Sequence, residues 1–135
     1  GKTVQGFGAA KRPAQTPVQD WGVYVKRQKA IAHAVLGRYS AERRRWGGAV
    51  SNYQQALKLY PSSTPLKAEA FYYVGMGRWK QSRMDAAMAA FASGSVQKGS
   101  PYAKQSRAHL ETLYKSTHNN SLAGVEEFIA RTARR

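Results

Sequence analysis

The sequence predicts an all-α protein built from repeated helical hairpins. Two observations predict this class: from Asp20 onward apolar residues recur three and four positions apart, and a pattern of small and large residues repeats after 38 residues. The repeat pairs Leu36-Gly37 with Val74-Gly75, Trp46 with Met84, Ala49 with Ala87, Tyr53 with Phe91, Ala56 with Gly94, and Pro61 with Gly99. No segment shows the strict alternation typical of a β-strand. We therefore expect two near-copies of one helical hairpin, followed by a third hairpin.

Start and stop signals place six helices. The predicted helices span about 20–39, 45–59, 66–81, 84–97, 102–117 and 121–133. Asp20 and Ser121 are residues that cap helix N-termini, and Pro65 fits a first helical turn. Pro61 and the Gly99-Ser100-Pro101 segment end the helices before them, because proline lacks an amide hydrogen and restricts the preceding residue.

Residues 1–19 differ from the rest of the chain. They are rich in glycine, proline and glutamine and have no helical or strand period, so we expect an extended N-terminal arm in front of a helical domain of residues 20–135. The arm is expected to take part in self-association, through Phe7, Lys11, Arg12, Val18 and Trp21. The first residue is Gly1 rather than methionine, which indicates removal of an upstream segment, either a secretory signal or an expression tag. The absence of a visible tag remnant favours the signal, and with it an exported, extracellular or periplasmic protein.

Charge indicates the kind of partner. The 135 residues include 22 Lys and Arg against 7 Asp and Glu, a formal net charge of +15. Such a chain attracts nucleic acid, anionic lipid or acidic polymers. Cysteine is absent, which excludes disulfides, thiolate metal sites and a cysteine nucleophile. No run approaches the ~18 consecutive apolar residues of a membrane span.

Residues 30–61 and 68–101 resemble tetratricopeptide repeats, whose unit is a helix–turn–helix of about 34 residues. The insertion around 63–66 lengthens the repeat and is similar to the inter-repeat turns of outer-membrane assembly lipoproteins of this class. The chain departs from the pattern at His33, Arg78 and Gly99. The resemblance implies a right-handed superhelix of about three hairpins, with residues 102–133 as a degenerate capping hairpin.

The resemblance also implies a ligand groove lined by the first helix of each hairpin. Its expected residues are Ala34, Arg38, Tyr72, Met76, Trp79, Lys80, Lys104, Arg107 and Glu111. Phe71 and Tyr73 are expected to pack in the core, whereas Tyr72 and Trp79 suit either the core or base stacking. The two exposed ends of the superhelix are expected to stack head to tail on further copies.

Three adjacent arginines, Arg43-Arg44-Arg45, fall in the first intra-hairpin turn, where too few carboxylates are near in sequence to pair with them. They are expected to face either solvent, as charged turns commonly do, or a polyanion, which is the interpretation adopted for the binding set. The full expected binding set is Lys26, Arg27, Arg38, Arg43, Arg44, Arg45, Tyr72, Arg78, Trp79, Lys80, Arg83, Lys104 and Arg107. Cations spread along the whole chain favour contacts to a phosphate backbone over base-specific recognition.

Catalytic residues are not indicated. Asp20, Glu69, Asp85, Glu126 and Glu127 are expected in the first turns of helices, where they complement the helix dipole. The three histidines, His33, His109 and His118, lack the spacing of a metal site, so neither a metal nor a cofactor is expected. Two non-enzymatic functions remain. One is binding of single-stranded RNA or DNA without strong sequence preference, with assembly into a filament along it, and the other is a periplasmic or extracellular adapter for an acidic or extended peptide.

Overall fold

The computed structural model describes residues 18–133, which form six α-helices and no β-strand. The helices are α1 Val18–Glu42, α2 Trp46–Leu59, α3 Thr64–Lys80, α4 Met84–Ser95, α5 Pro101–Thr117 and α6 Val125–Ala133. The all-α class is confirmed. The bounds of the first five helices lie within three residues of those predicted.

Helix α1 starts earlier than predicted. Val18 and Gln19, assigned from sequence to the arm, already belong to α1, so Asp20 lies in the first helical turn instead of capping it. Trp21, another residue assigned to assembly, is half-buried in the same helix, with its ring stacked 5.2 Å from that of Tyr24. The other predicted assembly residues, Phe7, Lys11 and Arg12, lie outside the described residues.

Serine caps and prolines set the starts of α3 and α5. The Oγ atoms of Ser63 and Ser100 each accept a hydrogen bond from a first-turn amide, at 3.3 and 3.2 Å. Pro65 and Pro101 occupy the first turns, where a missing amide hydrogen costs nothing because that group has no helical partner. The two inter-hairpin junctions are therefore encoded by the same pair of residue types.

The 38-residue period corresponds to equivalent contacts in space. Glycine occurs where the two helices of a hairpin cross: a Cβ atom on Gly37 would lie 2.6 Å from the Tyr53 ring, and one on Gly75 would lie 2.5 Å from the Phe91 ring. Burial shows that the period also reaches the third hairpin. Buried residues recur 38 positions apart in three series: Ala30, Ala68 and Ser106; Ala49, Ala87 and Val125; Tyr53, Phe91 and Ile129.

The intra-hairpin turns repeat as well. Arg44 and Ser82 lie 38 residues apart and have left-handed backbones, with φ of 57° and 61°; in the third turn Asn119 and Asn120 are both left-handed, with φ of 54° and 60°. In all three turns the amide after a left-handed residue returns to the carboxyl end of the preceding helix: the amides of Arg45, Arg83 and Asn120 donate to the carbonyls of Ser40, Arg78 and Lys115, each at 2.8 Å. The third hairpin therefore keeps the turn geometry although its sequence resemblance is weak.

The start of α6 corrects the prediction. Ser121 was expected to cap this helix, but its Oγ accepts a hydrogen bond from Ala123 N at 3.0 Å and closes a separate turn. Tyr114 donates a hydrogen bond to the Ala123 carbonyl at 2.8 Å, and Gly124 follows with φ of 88°, a backbone that a side chain would strain. Helix α6 consequently starts only at Val125.

Short connections make successive helices antiparallel, so α1, α3 and α5 run in the same direction. Helix α3 contacts both α1 and α5, while α6 packs against α4. The intra-hairpin turns, residues 43–45, 81–83 and 118–124, therefore share one edge of the protein, which we call the turn edge. The inter-hairpin connections, residues 60–63 and 96–100, lie at the opposite edge, the loop edge.

Candidate functional site

Two of the expected cationic binding residues form ion pairs within the chain. Arg38 Nη2 lies 2.9 Å from Glu69 Oε1, and Arg107 Nε lies 2.8 Å from Glu111 Oε2 while its Nη2 contacts Glu126. The hydrogen bond to Glu69 raises the pKa of Arg38 above its usual value. Arg38 and Arg107 thus neutralise carboxylates of this chain and contribute little to the field available to a ligand.

Glu69 has a different role from the one expected. It lies beyond the first turn of α3, so its carboxylate does not complement the helix dipole. The fully buried Tyr53 of α2 donates a hydrogen bond of 2.7 Å to Glu69 Oε2, and Arg38 of α1 reaches the same carboxylate. Burial, together with this hydrogen bond, raises the pKa of Tyr53. The carboxylate joins three helices and ties the first hairpin to the second.

The expected groove aromatics pack against the core. The Tyr72 ring lies 5.2 Å from that of Tyr102 and 5.9 Å from that of His109, and the Trp79 ring lies 5.5 Å from that of His109. Tyr72 and Trp79 are both half-buried against the cluster around Phe91. Burial raises the pKa of Tyr72 and lowers that of His109. These rings stabilise the contact between α3 and α5, which limits the surface they offer to a base.

The turn edge brings cations from different hairpins together. Basic residues at the C-terminal ends of α1, α3 and α5 and in the turns that follow them are Arg43, Arg44, Arg45, Arg78, Lys80, Arg83 and Lys115. The carboxylates at this edge are Glu42 at the end of α1, Asp85 in the first turn of α4, and Glu126 and Glu127 in the first turn of α6; Glu126 pairs with Arg107. Arg44 and Trp46 of the first hairpin line one surface hollow with Lys80 of the second. Within residues 20–133, none of the seven cations forms an ion pair.

The N-terminus of α2 is open at this edge. Arg45 stands at the cap position and makes no side-chain hydrogen bond to the first-turn amides. Gly47 and Gly48 follow, both exposed, and a Cβ atom on Gly47 would meet nothing within 4 Å. First-turn amides and the helix dipole attract anions. Arginine side chains and accessible backbone amides therefore lie together in residues 43–48.

Helix α4 starts at the same edge in a similar way. Arg83 at its cap position makes no capping hydrogen bond, but Asp85 lies in its first turn and neutralises part of the dipole. Of the two helix starts, that of α2 is the stronger anion-attracting position. The sequence already shows that the start of α2 has no Ser, Thr, Asp or Asn at the cap position and has two glycines in the first turn. Neither this feature nor Lys115 was part of the expected set.

The loop edge is also basic but is built differently. Its cations are Lys26, Arg27, Lys29, Lys58, Lys67, Lys98 and Lys104, all but one of them lysines. Arg27 lies over the ring of Tyr60, 5.6 Å from its centroid. The N-termini of α3 and α5, which lie at this edge, are capped by Ser63 and Ser100. Lys26, Arg27 and Lys104 are therefore separated from the arginine triplet, and the structure divides the expected binding set between two edges.

None of the helices in the described part of the chain has both the length and the apolar composition needed to cross a membrane. No protein-family model, curated protein or solved structure matches the chain.

Proposed function

We propose that this chain is a non-enzymatic, tetratricopeptide-like superhelical protein that binds single-stranded nucleic acid along its turn edge, without strong sequence preference. The observation that carries the proposal is the arginine triplet Arg43–Arg45 beside the uncapped, glycine-bearing start of α2. Guanidinium groups match phosphate geometry with two parallel donors, and a free helix N-terminus adds amide donors. Both features suit a phosphate backbone.

Arginine distinguishes the turn edge from the loop edge. Five of the seven turn-edge cations are arginines, whereas six of the seven loop-edge cations are lysines. Arginine binds phosphate in a bidentate manner and stacks on aromatic rings, while lysine acts as a compact point charge. The guanidinium carbon of Arg43 already lies over the Tyr39 ring, 3.7 Å from its centroid, in a cation–π contact. The turn edge is therefore the better candidate for a nucleic-acid strand.

Low sequence preference follows from the kinds of group available. Contacts from arginine, lysine and backbone amides to phosphate carry no base information. Tyr72 and Trp79, which could have stacked on bases, are packed against the core, and Trp46 is half-buried in the hollow beside Arg44. Affinity then comes mainly from phosphate contacts and depends strongly on salt.

The length of the edge sets the number of phosphates. Packed helices lie about 8–10 Å apart, so three turns extend over roughly 20 Å. A stacked strand advances about 3.4 Å per nucleotide, which places about six phosphates along that length. Since log K falls by about 0.7 per phosphate contact on single strands for each unit of log salt, we expect a slope near −4.

The test measures binding of fluorescent oligo-dT and oligo-U by anisotropy across a salt series. The variant Arg43→Ala/Arg44→Ala/Arg45→Ala removes up to three phosphate contacts, so the salt slope is expected to become about 2 units shallower. Poly-glutamate serves as the competitor that carries negative charge without phosphate.

A matched control, Lys58→Ala/Lys67→Ala/Lys98→Ala, removes the same charge from the loop edge and is expected to keep the wild-type slope. Equal flattening by both variants would refute the location at the turn edge. Absence of binding at low salt would refute the function itself. Equally strong displacement by poly-glutamate would show a general affinity for acidic polymers and reject nucleic acid as the specific ligand.

A further inference from the structure

Helix α1 carries an exposed apolar stripe. Ile31, Val35 and Tyr39 lie four residues apart on one face and are 46%, 56% and 49% exposed, and Tyr24, seven residues before Ile31, is 42% exposed. Among residues 20–133, five of the six exposed large apolar side chains lie on α1; the sixth is Val96. Contiguous exposed apolar surface of this kind marks interaction sites on soluble proteins.

The repeat shows what such a face is suited to contact. The positions 38 residues after Ile31, Val35 and Tyr39 are Glu69, Tyr73 and Gly77 on α3. There the face is covered by α2: the Tyr73 ring stacks 4.9 Å from that of Tyr53, and Glu69 accepts the Tyr53 hydrogen bond. The first hairpin has the same face without a covering helix in the described part of the chain. An antiparallel helix is therefore the shape that fits it.

We propose that two copies of the chain pair through this stripe, α1 against α1, around a two-fold axis. The opposite end of the described structure, formed by α5 and α6, exposes no large apolar side chain. In the first hairpin Val50 of α2 lies against Gly77 of α3, and the position two repeat lengths after Val50 is Glu126 of α6. Head-to-tail stacking would therefore place Glu126, whose side chain is 75% exposed, against the apolar stripe. A two-fold contact uses the same patch on both copies and buries apolar surface on both sides.

Charge favours the antiparallel arrangement. Asp20 lies in the first turn of α1. Glu42 is the last residue of this helix, and Arg43 follows directly after it. When two α1 helices run antiparallel and centre between Ile31 and Val35, the N-terminal acid of one copy approaches the arginine turn of the other. Opposite charges therefore meet at both ends of the contact.

The test is sedimentation equilibrium of the complete chain. Wild type is expected to show a concentration-dependent dimer that strengthens with added salt, because salt screens repulsion between two strongly basic copies. Val35→Lys is expected to weaken the association at least tenfold. The matched control, Val96→Lys, adds the same charge at a residue that is 40% exposed and is expected to change the association less than twofold.

A second measurement uses the absence of cysteine. Val35→Cys is expected to form a disulfide-linked dimer on oxidation, while Val96→Cys is not. The proposal would be overturned if the two lysine variants had equal effects on the association, or if the wild type stayed monomeric at all concentrations. It would also be overturned if the wild type formed species larger than a dimer and Val35→Lys abolished them. A monomer whose melting temperature falls with Val35→Lys but not Val96→Lys would also overturn it and show that the stripe is covered by the same molecule.

Discussion

Replacing Gly75 by alanine tests the close crossing of α3 and α4. A Cβ atom at this position would lie 2.5, 2.6 and 2.9 Å from three ring carbons of Phe91, which is fully buried. Overpacking of a core costs about 1–3 kcal/mol and occasionally more. Alanine also stabilises a helix interior by about 1 kcal/mol relative to glycine. Because the ring has no room to turn away, we expect the clash to exceed the helix gain, with a net loss of about 2 kcal/mol.

Gly47→Ala is the matched control. Its Cβ atom would meet nothing within 4 Å, so only the helix gain of up to about 1 kcal/mol remains. At roughly 4 °C per kcal/mol for a domain of this size, Gly75→Ala is expected to lower the melting temperature by about 8 °C and Gly47→Ala to raise it by up to about 4 °C. Calorimetry or thermal circular dichroism measures both changes.

A double-mutant cycle identifies the cause. Phe91→Leu removes the ring atoms that the new Cβ would meet, so Gly75→Ala should cost less in that background, with a coupling energy of about 1 kcal/mol or more. Additive effects would show that the loss does not arise at this contact. A melting temperature that rises for Gly75→Ala as it does for Gly47→Ala would refute the close crossing altogether.

Four further predictions concern single sites. Ser106→Ala should raise the free energy of unfolding by about 1 kcal/mol, because this fully buried hydroxyl has no partner among the described residues; denaturant unfolding measures it, and a destabilised variant would contradict it. Glu69→Ala should cost about 1–3 kcal/mol, since it leaves the buried Tyr53 hydroxyl unpaired, with Glu69→Gln as a milder control that keeps an acceptor; equal losses would contradict that cause. Gly47→Asp should raise the melting temperature but weaken oligonucleotide binding more than Gly47→Ala does, because the carboxylate occupies the anion-attracting start of α2; unchanged anisotropy titrations would argue against that position. Burial lowers the pKa of His109, so its neutral form stabilises the fold above about pH 6.5, and this contribution is lost as the pH falls from there through the folded-state pKa. The melting temperatures of wild type and His109→Phe should therefore diverge as the pH falls through this window, and a constant difference between them would exclude the contribution of His109.

Most of the fold could be predicted because its signals are local. Pro65 and Pro101 mark helix starts through their own backbone chemistry, and the 38-residue recurrence of small residues locates the crossings. The late start of α6 could not be foreseen, because it depends on the Tyr114 hydroxyl reaching the Ala123 carbonyl nine residues away. That contact, and not the capping preference of Ser121, determines where α6 starts.

The candidate site was predictable only in part. The arginine triplet was evident because adjacent cations in a turn cannot all find local carboxylates. The pairing of Arg38 with Glu69 joins residues 31 positions apart on different helices, which no local pattern specifies. The packing of Trp79 against the core likewise depends on how α3 rotates against α5.

The sequence by itself determined the helical class, the repeat length and the excess positive charge, because periodicity, capping chemistry and composition act over a few residues or over the chain as a whole. Among residues 18–133, only the tertiary structure decided which cations have no carboxylate partner, which aromatic rings enter the core and which face of α1 no other helix covers. Those outcomes depend on contacts between distant segments, whose relative positions are set by helix packing.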